Sequence, residues 1–144
     1  MSLLPRKGVL AVAAVTDIAL HAGRRPVDAK TLASRHGLST RHLEPVLQAL
    51  AHRGVLRGFR GPRGGYRLAR APHQITADEI LRAIGSIKAD EASAAVKSSL
   101  LVQVVVPPLA QAETVLCTAL AHINVEDLVR AAEMMQSSSA LGLL

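Results

Sequence analysis

The sequence predicts a mainly helical chain with one short β-hairpin and a long C-terminal helix. Three observations carry that prediction. Apolar residues recur at helical spacing through most of the chain. The segment Gly54 to Arg70 instead holds two short runs around a Gly-Pro-Arg-Gly-Gly tip, whose glycines suit a hairpin turn. Phe59 and Tyr66 are the only aromatics, which disfavours a β-sandwich and favours closely packed aliphatic helices.

The first helix is read over 8–22, with Val9, Val12, Ala13, Thr16, Ala19 and Leu20 as its apolar stripe. Gly23, Arg24, Arg25 and Pro26 stop it. Arg6-Lys7 followed by Gly8 to Val15 is also the pattern of a short signal peptide, but Thr16 and Asp17 break the run, so an amphipathic helix is the better reading. Asp28 caps a second helix, Ala29 to His36, closed by Gly37. Ser39 caps a third, with Leu43, Val46, Leu47 and Leu50 on one face and Gly54 beyond its end. Helix, glycine-containing turn and helix make the helix-turn-helix pattern. Pro45 puts its ring against the carbonyl of Arg41, so an irregular first turn is expected, with regular helix settling in near Leu43 and Glu44.

After the hairpin, Ala71-Pro72 ends the second strand, and Thr76 to Glu79 is a capping box opening a helix with Ile80, Leu81, Ala83 and Ile84. Residues 85–95 read as a loop, and Leu100 to Val106 as a short apolar segment before Pro107-Pro108. A long helix is expected from Leu109, with Leu109, Ala112, Leu116, Ala119 and Ile123 as a narrow coiled-coil-like seam. Asn124 to Asp127 is a second capping box, opening a last helix through Leu128, Val129, Ala132 and Met135. The organisation is therefore a head over 1–84, a linker with an apolar segment over 85–108, association helices over 109–136 and a frayed tail over 137–144. No stretch is read as long enough to span a membrane.

Charge is divided along the chain. Residues 1–70 carry thirteen Lys/Arg against Asp17, Asp28 and Glu44, while residues 71–144 carry four against eight acids. That is the balance of a polyanion-binding head on a non-binding body. Five arginines (Arg57, Arg60, Arg63, Arg67, Arg70) sit in the hairpin segment, which holds no acid. A segment of that kind suits phosphates. The scarcity of rings argues against a binder that stacks single-stranded bases.

Cys117 is the only cysteine, so intrachain disulfides, cysteine zinc sites and iron–sulfur clusters built from several thiolates are not expected. A reducing cytoplasm fits this usage. His21, His36, His52 and His122 fall near helix ends, where a histidine serves as a favourable C-terminal charge, and no metal site is expected from them. No nucleophile–base grouping, phosphate-cradling loop or apolar carboxylate pair points to an enzyme. Asp78-Glu79 and Glu126-Asp127 suit helix N-termini.

Lys7-Gly8, Ala11-Val12, Leu43-Glu44, Leu47, Leu50, Gly54-Val55-Leu56 and above all Arg60 to Ala69 resemble the Rrf-type family of bacterial winged-helix transcription regulators. Ile75-Thr76, Asp78 to Ile80, Ile123-Asn124 and Asp127-Leu128 extend the resemblance over about residues 3–132. It implies a homodimer, held by the long C-terminal helix, on a roughly two-fold-symmetric double-stranded DNA operator. The third helix would enter the major groove and the hairpin, as a wing, the adjacent minor groove. Ser39, Arg41, His42 and Glu44 fall at the family's recognition-helix contact positions, and Arg60, Gly61, Arg63, Gly64, Gly65 and Tyr66 on its wing. Lys7, in the first matched motif, completes the DNA-binding set.

Two departures matter. Pro45 stands where many members carry Gln, so one base-reading amide is missing. Members that hold an iron–sulfur cluster carry three cysteines in the segment corresponding to about 88–106, and this chain has none there, so the cluster is not expected. Regulation is left to a small effector near 85–106, an unidentified partner protein, or oxidation of Cys117, which is more simply an inert apolar side chain. An adaptor docking an acidic protein partner on the basic head is the alternative function.

Overall fold

The computed structural model describes residues 3–23, 25–85 and 98–142. Three helices open the chain: α1 (Arg6–Leu20), α2 (Ala29–Arg35) and α3 (Thr40–His52). Asp28 caps α2 by accepting the Thr31 backbone N–H at 2.6 Å, and Ser39 caps α3 by accepting that of His42 at 3.3 Å. The irregular opening expected of α3 is absent, and the helix is α-helical from Thr40. Pro45 lies on its exposed side, where solvent can take the place of the missing N–H at the Arg41 carbonyl.

Strands β1 (Leu56–Phe59) and β2 (Gly65–Leu68) pair antiparallel, with Leu56 opposite Leu68, Arg57 opposite Arg67, Gly58 opposite Tyr66 and Phe59 opposite Gly65. A β-turn over 61–64 joins them, closed by Gly64 N–H to Gly61 O at 2.9 Å, with Pro62 and Arg63 at its centre. A short 3₁₀ turn (Pro72–Gln74) leads to α4 (Ala77–Gly85).

The core lies where α1, α3, α4 and the hairpin base meet. Leu32, Leu47, Leu50, Leu56, Ile75 and Ile80 are fully buried there, each contributing roughly 1.5–3 kcal/mol of burial. The predicted face of α3 is the buried one. That of α1 is corrected: Ala11, Ala14, Val15 and Ile18 turn into the core with Ala19, while Val9, Val12, Ala13, Thr16 and Leu20 line an open groove. Helix α1 is apolar on two sides, so spacing alone did not choose between them.

The C-terminal helices also differ from expectation. A π-helical turn (Leu101–Val105) runs directly into α5 (Val106–Ala121), so the helix starts ahead of Leu109, inside the segment read as linker. Val106 N–H bonds Leu101 O across the wide turn. Pro107 and Pro108 then fall in the first turn of α5, where their missing donors cost least. The stretch Leu101–Ala121 is long and apolar enough to cross a membrane by length and composition, contrary to the expectation from sequence, because the two prolines do not interrupt it. Helix α6 (Val125–Gly142) extends through residues 137–142, which the sequence reading gave to a frayed tail. Serines are only mild helix breakers, and nothing stronger precedes Gly142. The loop expected over 85–95 lies, beyond Gly85, outside the described residues.

Thr76 and Asn124 cap α4 and α6 side by side. Each side chain accepts an N–H of its own helix, Glu79 at 3.2 Å and Asp127 at 2.9 Å. The segments bridge through Ala77 N–H to Ile123 O (2.8 Å) and Val125 N–H to Ile75 O (2.9 Å). This clamp seats α6 on the head.

Candidate nucleic-acid interface

The hairpin projects beside α3 and leaves a notch of about 510 Å³ between them. Glu44 and Gln48, one turn apart on α3, form one wall, and Phe59, Arg60, Gly61 and Tyr66 the other. Of the residues singled out in the sequence, Glu44, Arg60, Gly61, Gly64, Gly65 and Tyr66 are thus brought together. Ser39, Arg41 and His42 cluster at the N-terminus of α3, with Ser39 Oγ 2.8 Å from His42 Nδ1. Arg41 and His42 are exposed. Arg63 is exposed at the turn, and Lys7 is exposed in the first turn of α1, outside the notch.

Tyr66 links the two walls chemically. Its burial, and secondly the charge of Glu44, push its phenol above the ordinary tyrosine value, so it remains a neutral hydroxyl at physiological pH. The wing is fixed from behind as well. Val27, between α1 and α2, pairs with Tyr66 as an isolated bridge, and Leu56 is buried behind the strand.

One of the five hairpin-segment arginines has a structural role. Arg70 binds the Glu79 carboxylate and donates to the carbonyls of Gly54 and Gln74, both at 3.3 Å. It ties the end of the wing to α4. Glu79, expected to close a capping box, is engaged there instead.

Three features escaped the sequence. Gln48 lines the notch one turn beyond Glu44. Phe59 carries the guanidinium groups of Arg57 and Arg67 at 5.5 and 5.8 Å from its ring centre. Asp17, buried on α1, meets Arg35 Nη1 at 2.6 Å, His36 Nε2 at 3.0 Å and His21 Nδ1 at 3.1 Å, locking α1 to α2. Its i,i+4 relation to His21 was the only local signal.

The apolar seam expected along the C-terminal helix is bare in the single chain: Leu109, Leu116 and Ile123 are 63%, 41% and 40% exposed, and Ala112 and Ala119 are exposed too. Cys117 is half-buried on α5, in a shallow hollow with Asp78, Arg82 and Glu113.

A helix-turn-helix, an arginine-rich wing and a projecting C-terminal helix now stand together. The Rrf2 model, described as iron-dependent transcriptional regulator, matches residues 4–131. This chain belongs to the Rrf2 family. The chain is also similar to the HTH-type transcriptional regulator IscR of Aliivibrio salmonicida, 38% identical over 81 residues, which are 56% of this chain and 48% of that protein. The same regulator of Vibrio campbellii is 37% identical over equal shares. The chain spans about half the length of the curated relatives it matches. Among solved structures, T. potens IscR is 32% identical with a TM-score of 0.71, covering 94% of this chain and 91% of that one. CymR of B. subtilis, described as the global cysteine regulator, shares the fold at 23% identity and TM-score 0.68, over 91% and 98% of the two chains. This is an Rrf2 winged helix-turn-helix, from a family of transcriptional regulators and not of enzymes.

Proposed function

We propose that this Rrf2 chain is a cytoplasmic, sequence-specific repressor that binds duplex DNA as a homodimer on a two-fold-symmetric operator. The observation that carries the reading is the notch: a recognition helix and a wing set side by side, with Arg41, Arg60 and Arg63 exposed around it. The guanidinium fork suits guanine O6/N7 in the major groove and phosphate or a narrow minor groove at the wing tip. Glu44 would accept from a cytosine amine, Ser39 and His42 would stand near the backbone, and Lys7 would add a phosphate contact.

The second copy is argued from the apolar surface. The seam runs past the end of α5 to Ile123, which also lines the groove of about 620 Å³ between α1 and α6, so seam and groove form one continuous face. A head that binds one half-site and a face that pairs with itself together read an inverted repeat. The same face explains why α5 is apolar enough to resemble a membrane span.

The donor set supports a regulator without an iron–sulfur cluster of its own. One thiol, on α5 and facing Arg82, does not make the ligand set such a cluster needs.

Selection of duplex sites from a random pool, followed by salt titration, tests the proposal. The expected result is an enriched inverted repeat and a log–log salt slope of roughly −7 for about four phosphates per subunit. An adaptor for an acidic protein would show no preference among duplexes, whereas a specific regulator prefers its site by ~10³-fold or more.

A further inference from the structure

We infer that Gln48 determines part of the sequence specificity of this chain, its amide reading an adenine three base pairs from the pair read by Arg41. The inference rests on the DNA-binding reading above and deepens it by assigning one position of the half-site to one side chain.

The geometry of α3 supplies the first observation. Leu43, Val46, Leu47 and Leu50 form its buried stripe. At roughly 100° per residue, Arg41, Pro45, Gln48 and His52 fall within about 30° of the line opposite that stripe. All four are exposed, so they make the outermost ridge of the helix. That ridge is the part of a recognition helix that goes deepest into a major groove. Glu44 stands to one side of it, toward the wing.

Chemistry separates the four. Pro45 has no polar side-chain atom, and His52 ends the helix. Arg41 has the fork suited to guanine. The Gln48 amide holds a donor and an acceptor side by side, so it can donate to N7 of adenine while accepting from the N6 amine. Ser39 and His42 engage each other at 2.8 Å, whereas the Gln48 amide has no hydrogen-bond partner among the described residues. It lines the notch of about 510 Å³, which leaves room for a base edge.

Spacing is the third observation. Seven residues separate Gln48 from Arg41, a rise of about 10.5 Å along the helix. Three base-pair steps of about 3.4 Å cover nearly the same length. Two steps or four would misplace the amide by roughly 3 Å or more, outside hydrogen-bond reach. With α3 laid along the groove, the two side chains therefore meet pairs three steps apart.

The test repeats the duplex selection with the full chain and with its Gln48→Ala, Gln48→Arg and Arg41→Ala variants. The unaltered chain should enrich a half-site holding guanine and adenine three pairs apart. Gln48→Ala should lose roughly ten- to a hundred-fold of discrimination at the adenine and keep the rest of the half-site. Its salt slope should not change, since a neutral amide releases no counterion. Its thermal midpoint should hold, because the residue is exposed and alanine favours helix. Gln48→Arg should move the preference at that position alone to guanine. Arg41→Ala should flatten the position three pairs away, and flattening at any other separation would overturn the register. Full preference at every position in Gln48→Ala would overturn the assignment. Equal weakening on all duplexes would overturn it too, by marking a backbone contact. Failure of the unaltered chain to enrich any site would instead overturn the DNA-binding reading itself.

Discussion

Tyr66 and Val27 exchange two backbone hydrogen bonds, Val27 N–H to Tyr66 O at 3.0 Å and Tyr66 N–H to Val27 O at 2.8 Å, and so weld the wing to the segment that enters α2. Gly65 makes this approach possible. Its φ is +148°, and a Cβ there would meet the Val27 carbonyl carbon and oxygen at 2.6 Å. Gly65→Ala should destabilise the chain by about 1–3 kcal/mol and weaken operator binding through a displaced wing, while dimerisation persists. Urea unfolding and DNA titration of the same sample check this. Wild-type values in both would mean that the weld is not what positions the wing.

Asp28 gives a prediction with a pH signature. The Thr31 backbone N–H bonded to its carboxylate, followed by the Thr31 side chain, holds its pKa below the ordinary carboxylate value. The unfolded chain therefore binds this proton more readily than the folded one. The cap's charge-dependent contribution is fully present above the ordinary value of about 3.9 and fades as pH falls through the lowered folded value. Asp28→Ala should cost about 1 kcal/mol at neutral pH, and its deficit against wild type should narrow below pH ~4. A deficit that is constant with pH would assign the loss to something other than the ionised cap.

Arg60 lines the notch and Arg63 stands at the wing turn, and neither belongs to the core, as both are exposed. Arg60→Ala and Arg63→Ala should each weaken operator binding by about 1–3 kcal/mol where a base edge or the minor groove is read, with no change in thermal midpoint. Sedimentation should show the dimer intact. A variant that dissociates yet keeps its DNA affinity would show that the two interfaces have been exchanged.

Legibility followed how local each signal was. The α3 face and the wing could be read because four aliphatics at helical spacing and a glycine-rich tip each encode their own geometry. Helix α1 misled because it is apolar on two sides, one for the core and one for the groove. The start of α5 was hidden by a proline pair that a wide π turn absorbs. Asp17 could not be paired in advance, since Arg35 and His36 lie 18 and 19 residues away and only the α1–α2 packing joins them. The Arg57–Phe59–Arg67 stack needed the strand register, which composition does not supply.

Leu116 tests the association face with the least ambiguity. It is 41% exposed and lies on α5, a helix without a single buried residue in the isolated chain. A charge at this position should therefore leave the folded head unharmed. In a dimer built on the seam, Leu109 and Leu116 would be covered, and burying an unpaired carboxylate there would cost several kcal/mol. Leu116→Glu should accordingly yield a folded monomer, with an unchanged helical spectrum and a wing that still binds a single half-site weakly. Operator affinity should drop steeply, because two heads no longer act as one unit. Light scattering together with titration of a half-site duplex separates the cases. A Leu116→Glu protein that remains a dimer of full affinity would place the second copy on a different face.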